Sequence, residues 1–593
     1  ARGHKGLHRA SFGHNTCCYT RLHKGAALAR IMLEVFFLSL IVVFATWFFI
    51  QRRRRFSFFK DLGIPGPPPS FFSGNLSELI QKGTLEKYKE WLDKYGDIVG
   101  FYNGAHPFLI VKDPELIKKI QIKDFHNFHG RGVSSGFART HPINKESMIN
   151  AQGERWKKMR SLLTPAFTTS NMKKMASLMD DSSNEFLQVI ESLRKKDEAL
   201  EFRDLFQRLT ADVIIRSAFG LKSDLQQKER LKSTTESLFR ETLDSLQQFR
   251  RAWINFLTAC FPEFNPLWRL IISFGSRHNK TAADKCFDEI TSIIQFRREN
   301  RERDRCDLLQ LMLNAEVEDA TLVNVHSLTA SGDADSASEG NQPEKVKAGG
   351  KTCVLTNTEI LANGFSFFVA GFETTGSSMA FLSYLLAKHQ DIQDRLREDV
   401  LAVLNRDVGH FMHYLSTFFF YLLVIHSKNV FFFQGAFTYD NVFGIKYLDQ
   451  AISESLRFYS PVVGFTTRRC AREYVHKGMK IPAGTSIVIP NHHLSHDPNF
   501  WEQPEVFDPE RFSPQNKGLV DPVVYQPFGQ GPRNCVGMRF AQLEMKLTMA
   551  KLLAKYKLFL DERHIKEKNL ELESTFIFAM PKDGIWLKIE KVI

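Results

Sequence analysis

Between Leu33 and Ile50 the chain reads LEVFFLSLIVVFATWFFI, and after Glu34 no charge interrupts it until Arg52. Met32 lengthens the run to near the lower limit for a membrane-spanning helix, about 17–25 residues. Gln51-Arg52-Arg53-Arg54-Arg55 ends it abruptly. A cleaved signal would carry its charge before the apolar run and a small-residue cleavage site after it. Here the strongest charge follows, which predicts an uncleaved anchor over 32–50 with the rest of the chain on the cytosolic side. Residues 1–31 precede the first methionine, Met32, and have no hydrophobic period. They are expected to be translated leader rather than functional protein, an expectation that any native peptide from 1–31 would overturn.

Residues 51–69 combine the arginine stop-transfer with Ile64-Pro65-Gly66-Pro67-Pro68-Pro69, a stiff stretch in which proline excludes helix and which is expected to be a rigid spacer, a Pro-rich hinge between membrane and domain. From 70 to 593 the patterns alternate between helix-like and short strand-like, as in one large domain. Residues 324–350 (NVHSLTASGDADSASEGNQPEKVKAGG) are small and polar, which predicts a flexible surface loop. Thr356-Asn357-Thr358-Glu359 has the form of a capping box. A long helix is predicted from there to about Lys388. Its middle, GFSFFVAGFETTGSSMAFLSYLL, is apolar nearly all round and therefore runs through the core. A charged helix follows over 391–404, and beyond residue 475 short strands and turns dominate.

Val408–Gln434 (VGHFMHYLSTFFFYLLVIHSKNVFFFQ) breaks this pattern between two charged helical stretches. Its apolar part is too short to cross a bilayer. Valine codons begin with GT, and Phe431-Phe432-Phe433-Gln434 can be encoded as a pyrimidine tract ending in AG. The segment is expected to be a retained intron, in frame for 27 codons. A genuine family-specific loop is the alternative.

Composition changes this picture little. The apolar fraction is 43% and the charged fraction 24%, which excludes a disordered or fibrous chain. Phe is unusually frequent, 53 of 593 residues. The net charge of +13 comes largely from six Lys/Arg in residues 1–31 and the Arg52–Arg55 quartet. No basic stripe interleaved with aromatics appears elsewhere, so nucleic acid is not an expected partner. Eight cysteines are scattered without framework spacing, so a disulfide-stapled fold is not expected.

The chemistry concentrates in Phe528-Gly529-Gln530-Gly531-Pro532-Arg533-Asn534-Cys535-Val536-Gly537. Glycines at 529, 531 and 537 allow tight turns and close approach of backbone to a large flat partner. Backbone N–H groups and Arg533 beside Cys535 favour the thiolate, the form that ligates metal. One cysteine makes a poor zinc site, which wants four ligands, but a good axial ligand for haem iron.

This string resembles the haem-binding signature of the cytochromes P-450, F-x-x-G-x-R-x-C-x-G. Other motifs resembling that family occur in order. Glu454-Ser455-Leu456-Arg457 is similar to E-x-x-R, and Pro509-Glu510-Arg511-Phe512 to its P-E-R-F partner segment. Trp156-Lys157-Lys158-Met159-Arg160 is similar to W-x-x-x-R. Ala370-Gly371-Phe372-Glu373-Thr374-Thr375 resembles the oxygen-binding A-G-x-[DE]-T of a long central helix. The resemblance covers roughly residues 56–593, without 408–434.

The resemblance implies a mainly α cytochrome P-450 fold, an α prism with a small β-rich subdomain, plus one N-terminal transmembrane helix. It implies haem b bound through Cys535 as axial iron ligand. Trp156, Arg160, Arg468 and Arg533 would meet the propionates, with Arg131 a further candidate, and Arg469 beside Arg468 blurs the register. Phe528 would pack near the thiolate, and Glu454, Arg457 and Arg511 would form a structural lock. Glu373 and Thr374 would interrupt the central helix ladder and relay protons during oxygen activation. The plain alternative is a Thr374 hydroxyl bonded back to its own helix, with Glu373 on a wet face.

The implied activity is monooxygenation of lipophilic small molecules, with the look of the xenobiotic-metabolising group that also contains thromboxane synthase. Substrate-lining segments are expected roughly at 128–150, 245–275, 365–375 and 462–466. Expected partners are a NADPH-dependent flavoprotein reductase, cytochrome b5 as an optional second donor, and membrane lipid. The expected location is the endoplasmic reticulum membrane, single-pass, with the catalytic domain on the cytosolic face. Two rivals stand beside this reading. One is a haem-thiolate endoperoxide isomerase, although such enzymes tend to lose the Thr that follows the acid. The other is a non-enzymatic product of an aberrant transcript.

Overall fold

The computed structural model describes residues 15–132, 142–194, 198–226, 253–278, 282–300, 305, 307–318, 352–414, 437–575 and 577–592. The chain divides into two compact units, Ala1–Asp61 and Leu62–Ile593.

The first unit holds one helix, α1 (Asn15–Asp61). It extends beyond the apolar run in both directions, because only Gly25 in the flanks weakens helix and no proline stops it before Pro65. Residues Arg30–Asp61 are long and apolar enough to cross a membrane. Hydroxyls inside the run are satisfied by the helix itself: Ser39 Oγ donates to Phe36 O and Thr46 Oγ1 to Val42 O.

The second unit is mainly helical. Its longer helices are α2 (Thr84–Tyr95), α3 (Gly153–Leu163), α4 (Thr169–Arg194), α5 (Phe202–Phe219), α6 (Trp253–Cys260), α7 (Asn265–His278) and α8 (Ala282–Glu299). They continue with α9 (Asn357–Lys388), α10 (Gln390–Tyr414), α11 (Lys446–Phe458) and α12 (Met538–Lys555).

The central helix α9 starts at a capping box. Thr356 Oγ1 accepts from Glu359 N, and Thr356 N donates to a Glu359 carboxylate oxygen at 2.7 Å. α9 packs along α5. Glycines permit the approach: a Cβ on Gly376 would press on the Gln207 backbone at 3.2 Å, and one on Gly371 would collide with Ile214. Alanine at 376 would push the α5 backbone away by a few tenths of an ångström, whereas at 371 the tip of Ile214 would have to swing aside.

Strands form small sheets. One runs β1 (Ile98–Asn103), β2 (His106–Val111), β9 (Ser486–Val488), β6 (Thr467–Arg469), with only β2–β9 parallel. A second joins β10 (Tyr556–Leu560), β13 (Trp586–Lys591) and β3 (Leu200–Glu201). Hairpins pair β11 (Leu572–Thr575) with β12 (Phe578–Pro581), β7 (Tyr474–His476) with β8 (Met479–Ile481), and β4 (Glu316–Glu318) with β5 (Thr352–Val354).

Three features differ from the sequence expectation. The proline-rich stretch is sewn to β1 by a hydrogen bond from Gly100 N to Pro65 O, so it belongs to the domain rather than standing free of it. α10 runs on to Tyr414, into the anomalous insertion; the remainder of 408–434 and the loop 324–350 lie outside the described residues. α12 lies where strands and turns were expected to dominate. It is buried almost all round, including Glu544, Lys546 and Lys551, so it carries no amphipathic stripe to read.

Candidate active site

The segment 528–537 folds into a tight loop leading into α12. Gly529 and Gly531 have φ of +73° and +71°, and a Cβ on Gly531 would run into the Gln121 carbonyl. Only glycine tolerates both demands. Cys535 N donates to Phe528 O at 2.8 Å, closing the loop beneath the sulfur. Phe528 itself is partly buried against the main core.

Cys535 is accessible although protein surrounds it, so its thiol opens into a recess. Burial pushes its titration up; the Gly537 N–H and the Arg160 and Arg131 guanidiniums pull it down. The net direction is upward. The expected bias toward thiolate is therefore not met by the loop alone, because desolvation outweighs two cations and one N–H. A metal at the sulfur would displace the proton outright.

Four arginines converge on this recess. Arg160, on α3, donates to Asn534 O and Asn534 Oδ1 at 3.0 and 2.8 Å. Arg131 donates to Phe465 O at 3.0 Å and lies 4.1 Å above the Phe465 ring. Arg468, on β6, donates to Thr467 O and Gln530 O, whereas its neighbour Arg469 is exposed. Arg533 stacks on Trp156 at 4.4 Å and donates to backbone carbonyls of His129, Met148, Ile149 and Ala151. Among the described residues no carboxylate pairs with any of the four. Burial, reinforced by mutual repulsion, holds Arg533 down to about 7 and Arg468 to about 9. Burial likewise depresses Arg131 and Arg160, each to about 10, with Arg160 repelling Arg131 and Cys535 pulling both back up. The Nε atoms of Arg131, Arg160 and Arg468 are buried without a hydrogen-bond partner.

α9 is buried on all sides from Thr375 to Ala387, but Ser366, Phe367, Ala370, Gly371 and Thr374 are accessible. Their spacing places them on one face. The helix runs unbroken through Glu373 and Thr374, and Thr374 Oγ1 donates back to Ala370 O at 2.8 Å. The expected interruption of the ladder is absent because that back-bond replaces it. Glu373 is not on a wet face. It is buried, with one oxygen taking Arg203 Nη2 at 2.8 Å and Ser377 Oγ at 3.3 Å, and the other taking Gln207 Nε2 at 2.9 Å.

Glu454 and Arg457, on α11, are both fully buried and doubly hydrogen-bonded, at 2.7 and 2.9 Å. Arg511 Nε approaches Glu454 at 3.4 Å, and Asp508 N donates to the same carboxylate at 3.0 Å.

A family model described as Cytochrome P450 matches residues 64–589. The chain belongs to the cytochrome P450 family. It is 30% identical to Cytochrome P450 3A9 of Rattus norvegicus over 520 residues, 87% of this chain and 90% of the relative. It is 30% identical to Cytochrome P450 6a8 of Drosophila melanogaster over 548 residues, 91% and 96% of the two chains. It is equally similar to Lithocholate 6-beta-hydroxylase of Mesocricetus auratus over 535 residues, 90% and 92%. This P450 is thus an oxidoreductase of monooxygenase type with haem iron as its cofactor.

The residues present fit that cofactor. Haem b carries two propionates, and the recess offers four unneutralised guanidiniums with three orphaned Nε donors. The glycines at 529 and 531 keep the cysteine loop free of side chains that would crowd a flat partner. The sequence did not signal Asn534 as the acceptor for Arg160, nor Arg203 and Gln207 as partners of Glu373. Those contacts join residues more than 150 positions apart, and no local pattern reports them.

Proposed function

We propose that this P450 oxidises lipophilic small molecules of steroid or xenobiotic type, with Cys535 as axial ligand of the haem iron. The observation that carries the reading is the cluster of four arginines around the Cys535 recess, Arg160, Arg468 and Arg533 buried and Arg131 half-buried, with no carboxylate partner among the described residues. Arg131, Arg160, Arg468 and Arg533 would neutralise the propionates, with Trp156 fixing the Arg533 plane by stacking. When bound, the haem supplies dioxygen activation, and a thiolate ligand donates electron density that favours O–O cleavage.

The protein's own groups do the rest. The accessible face from Ser366 to Thr374 would present apolar surface to substrate and two hydroxyls, of which Thr374, beside the acid Glu373, would serve proton delivery. Thr374 can release Ala370 O and turn that hydroxyl outward, while Glu373, one residue earlier, is the proton source. Phe528, partly buried against the main core, would pack near the thiolate.

The relative named Lithocholate 6-beta-hydroxylase supports hydroxylation as the reaction type and a lithocholate-like substrate as one candidate. The α1 run supports membrane anchorage, and the Arg52–Arg55 quartet supports the endoplasmic reticulum with a cytosolic catalytic domain. Electrons would come from a NADPH-dependent flavoprotein reductase, with cytochrome b5 as second donor. Thr374 favours oxygenation over endoperoxide isomerisation, which needs no proton relay.

The test is reconstitution with reductase and NADPH. Thr374→Ala should retain haem but divert electrons from product to hydrogen peroxide by about tenfold or more, the scale of a lost acid–base group. Unchanged coupling would return Thr374 to a helix-stabilising role.

A further inference from the structure

Glu373 is held by three donors, and one of them has a second attachment. Arg203 Nη2 donates to the Glu373 carboxylate at 2.8 Å and to Met580 Sδ at 3.0 Å. One nitrogen serves both, so the guanidinium cannot follow one partner without leaving the other. Arg203 Nε is buried with no hydrogen-bond partner among the described residues.

Met580 lies on β12, which is sewn to the segment after α11. Ala579 N donates to Pro461 O at 3.1 Å, Val463 N donates to Ile577 O at 2.7 Å, and Val462 bridges to Phe578. Residues 462–466 are the stretch read above as substrate-lining, and Phe465 at its end carries Arg131. The Arg203 main chain is tied to the same C-terminal region. Its N–H and that of Ile585 share Glu201 Oε1, at 3.2 and 3.0 Å.

We propose that Arg203 is a positioning residue that couples the substrate-side hairpin β11–β12 to the acid Glu373. This rests on the reading of Glu373 as proton source. With the hairpin at rest, Arg203, Gln207 and Ser377 hold the carboxylate away from the open face of α9. A substrate that displaces the hairpin moves Met580, loosens the guanidinium and frees Glu373 to turn toward Thr374. The proton enters from solvent and leaves toward Thr374, so the carboxylate is regenerated in each cycle. Proton delivery is thereby tied to substrate occupancy.

The experiment uses the full-length holoenzyme with reductase and NADPH, and reads the fraction of electrons recovered as peroxide. A second readout, amide hydrogen exchange at Val463 and Ala579, does not depend on turnover. Met580→Leu conserves volume and removes the sulfur, and Arg203→Lys conserves charge and removes the fork. Each should raise the peroxide fraction at least about twofold alone and have no further effect combined with Glu373→Gln, as expected for contacting residues. By reciprocity, Glu373→Gln should quicken exchange at Val463 and Ala579 about threefold. If Glu373→Gln leaves coupling unchanged, the proton-source reading fails. If Glu373→Gln uncouples but both other variants leave coupling and exchange unaltered, that reading stands and the role of Arg203 is overturned. Should Met580→Leu fail to load haem, Arg203→Lys decides alone.

Discussion

Two sets of buried arginines lie in the catalytic domain, and they are treated in opposite ways. Arg457 has every need met: both oxygens of Glu454 and the carbonyls of Ser495, Pro504 and Val506 accept from it. Around Cys535, four guanidiniums meet carbonyls, aromatic rings and one another, but no carboxylate among the described residues. Burying an unpaired cation costs several kcal/mol, so a chain would not concentrate three buried ones and the half-buried Arg131 without an anion to receive. The first set is complete within the chain; the second is completed by a ligand. Burial alone therefore does not mark a binding site. Burial without countercharge does.

The contrast breaks most completely at the sulfur. Cys535→Ala removes the only soft anionic ligand in the loop, and product formation should fall to background in reconstituted assays. Any thiolate-type haem spectrum retained by that variant would refute the assignment.

Next comes the paired set. Arg457→Ala leaves Glu454 buried with only the Arg511 guanidinium at 3.4 Å and the Asp508 N–H at 3.0 Å, among the described residues, to answer it. Breaking a buried pair costs about 3–5 kcal/mol, so the variant should unfold at distinctly lower denaturant or fail to accumulate.

The unpaired set should respond with the opposite sign for the bare chain. Arg160→Gln or Arg468→Gln removes repulsion, so stability without haem should hold or rise. Loss of a charged hydrogen bond worth roughly 1.5–3 kcal/mol should speed haem transfer to a scavenger protein about tenfold or more. Equal loss of stability with and without haem would erase the distinction between the sets.

The smallest effect concerns acid. Behind the lock, the His492 and His496 rings lie 4.1 Å apart, tilted by 32°, and burial pushes both titrations down; burial also pushes that of His493 down, to about 4. The neighbouring histidines and Arg457 repel His492, Arg457 repels His496, and His496, Lys112 and Lys89 repel His493. The carbonyls of His492 and Phe458 with Glu505 draw His496 partly back up, as the Leu85 carbonyl does His493. The folded chain binds fewer protons here than the unfolded chain, whose histidines titrate near 6.5. Stability from this cluster is therefore full above about 6.5 and falls as pH drops toward about 4. His493→Gln should flatten that fall, as followed by the melting temperature from pH 7.5 to 5.

The parts of this chain that were legible in sequence are those written in local spacing. The cysteine loop, the capping box at Thr356 and the apolar central helix each depend on residues within a few positions. The position of Arg468 could not be told from Arg469 until strand β6 turned one inward and the other out. α12 escaped because a helix buried on every side has no polar face to set its period. The state of Glu373 was hidden for another reason. Its partners Arg203 and Gln207 lie on α5, and only the packing of α5 on α9 brings them near.

The reduced carbon monoxide difference spectrum of the purified full-length chain, with haem counted per polypeptide, tests the central claim most directly. One haem per chain and a Soret band of thiolate-ligated iron are the predicted result. A chain that folds but takes up no haem, or whose haem shows the band of nitrogen-ligated iron, would contradict it.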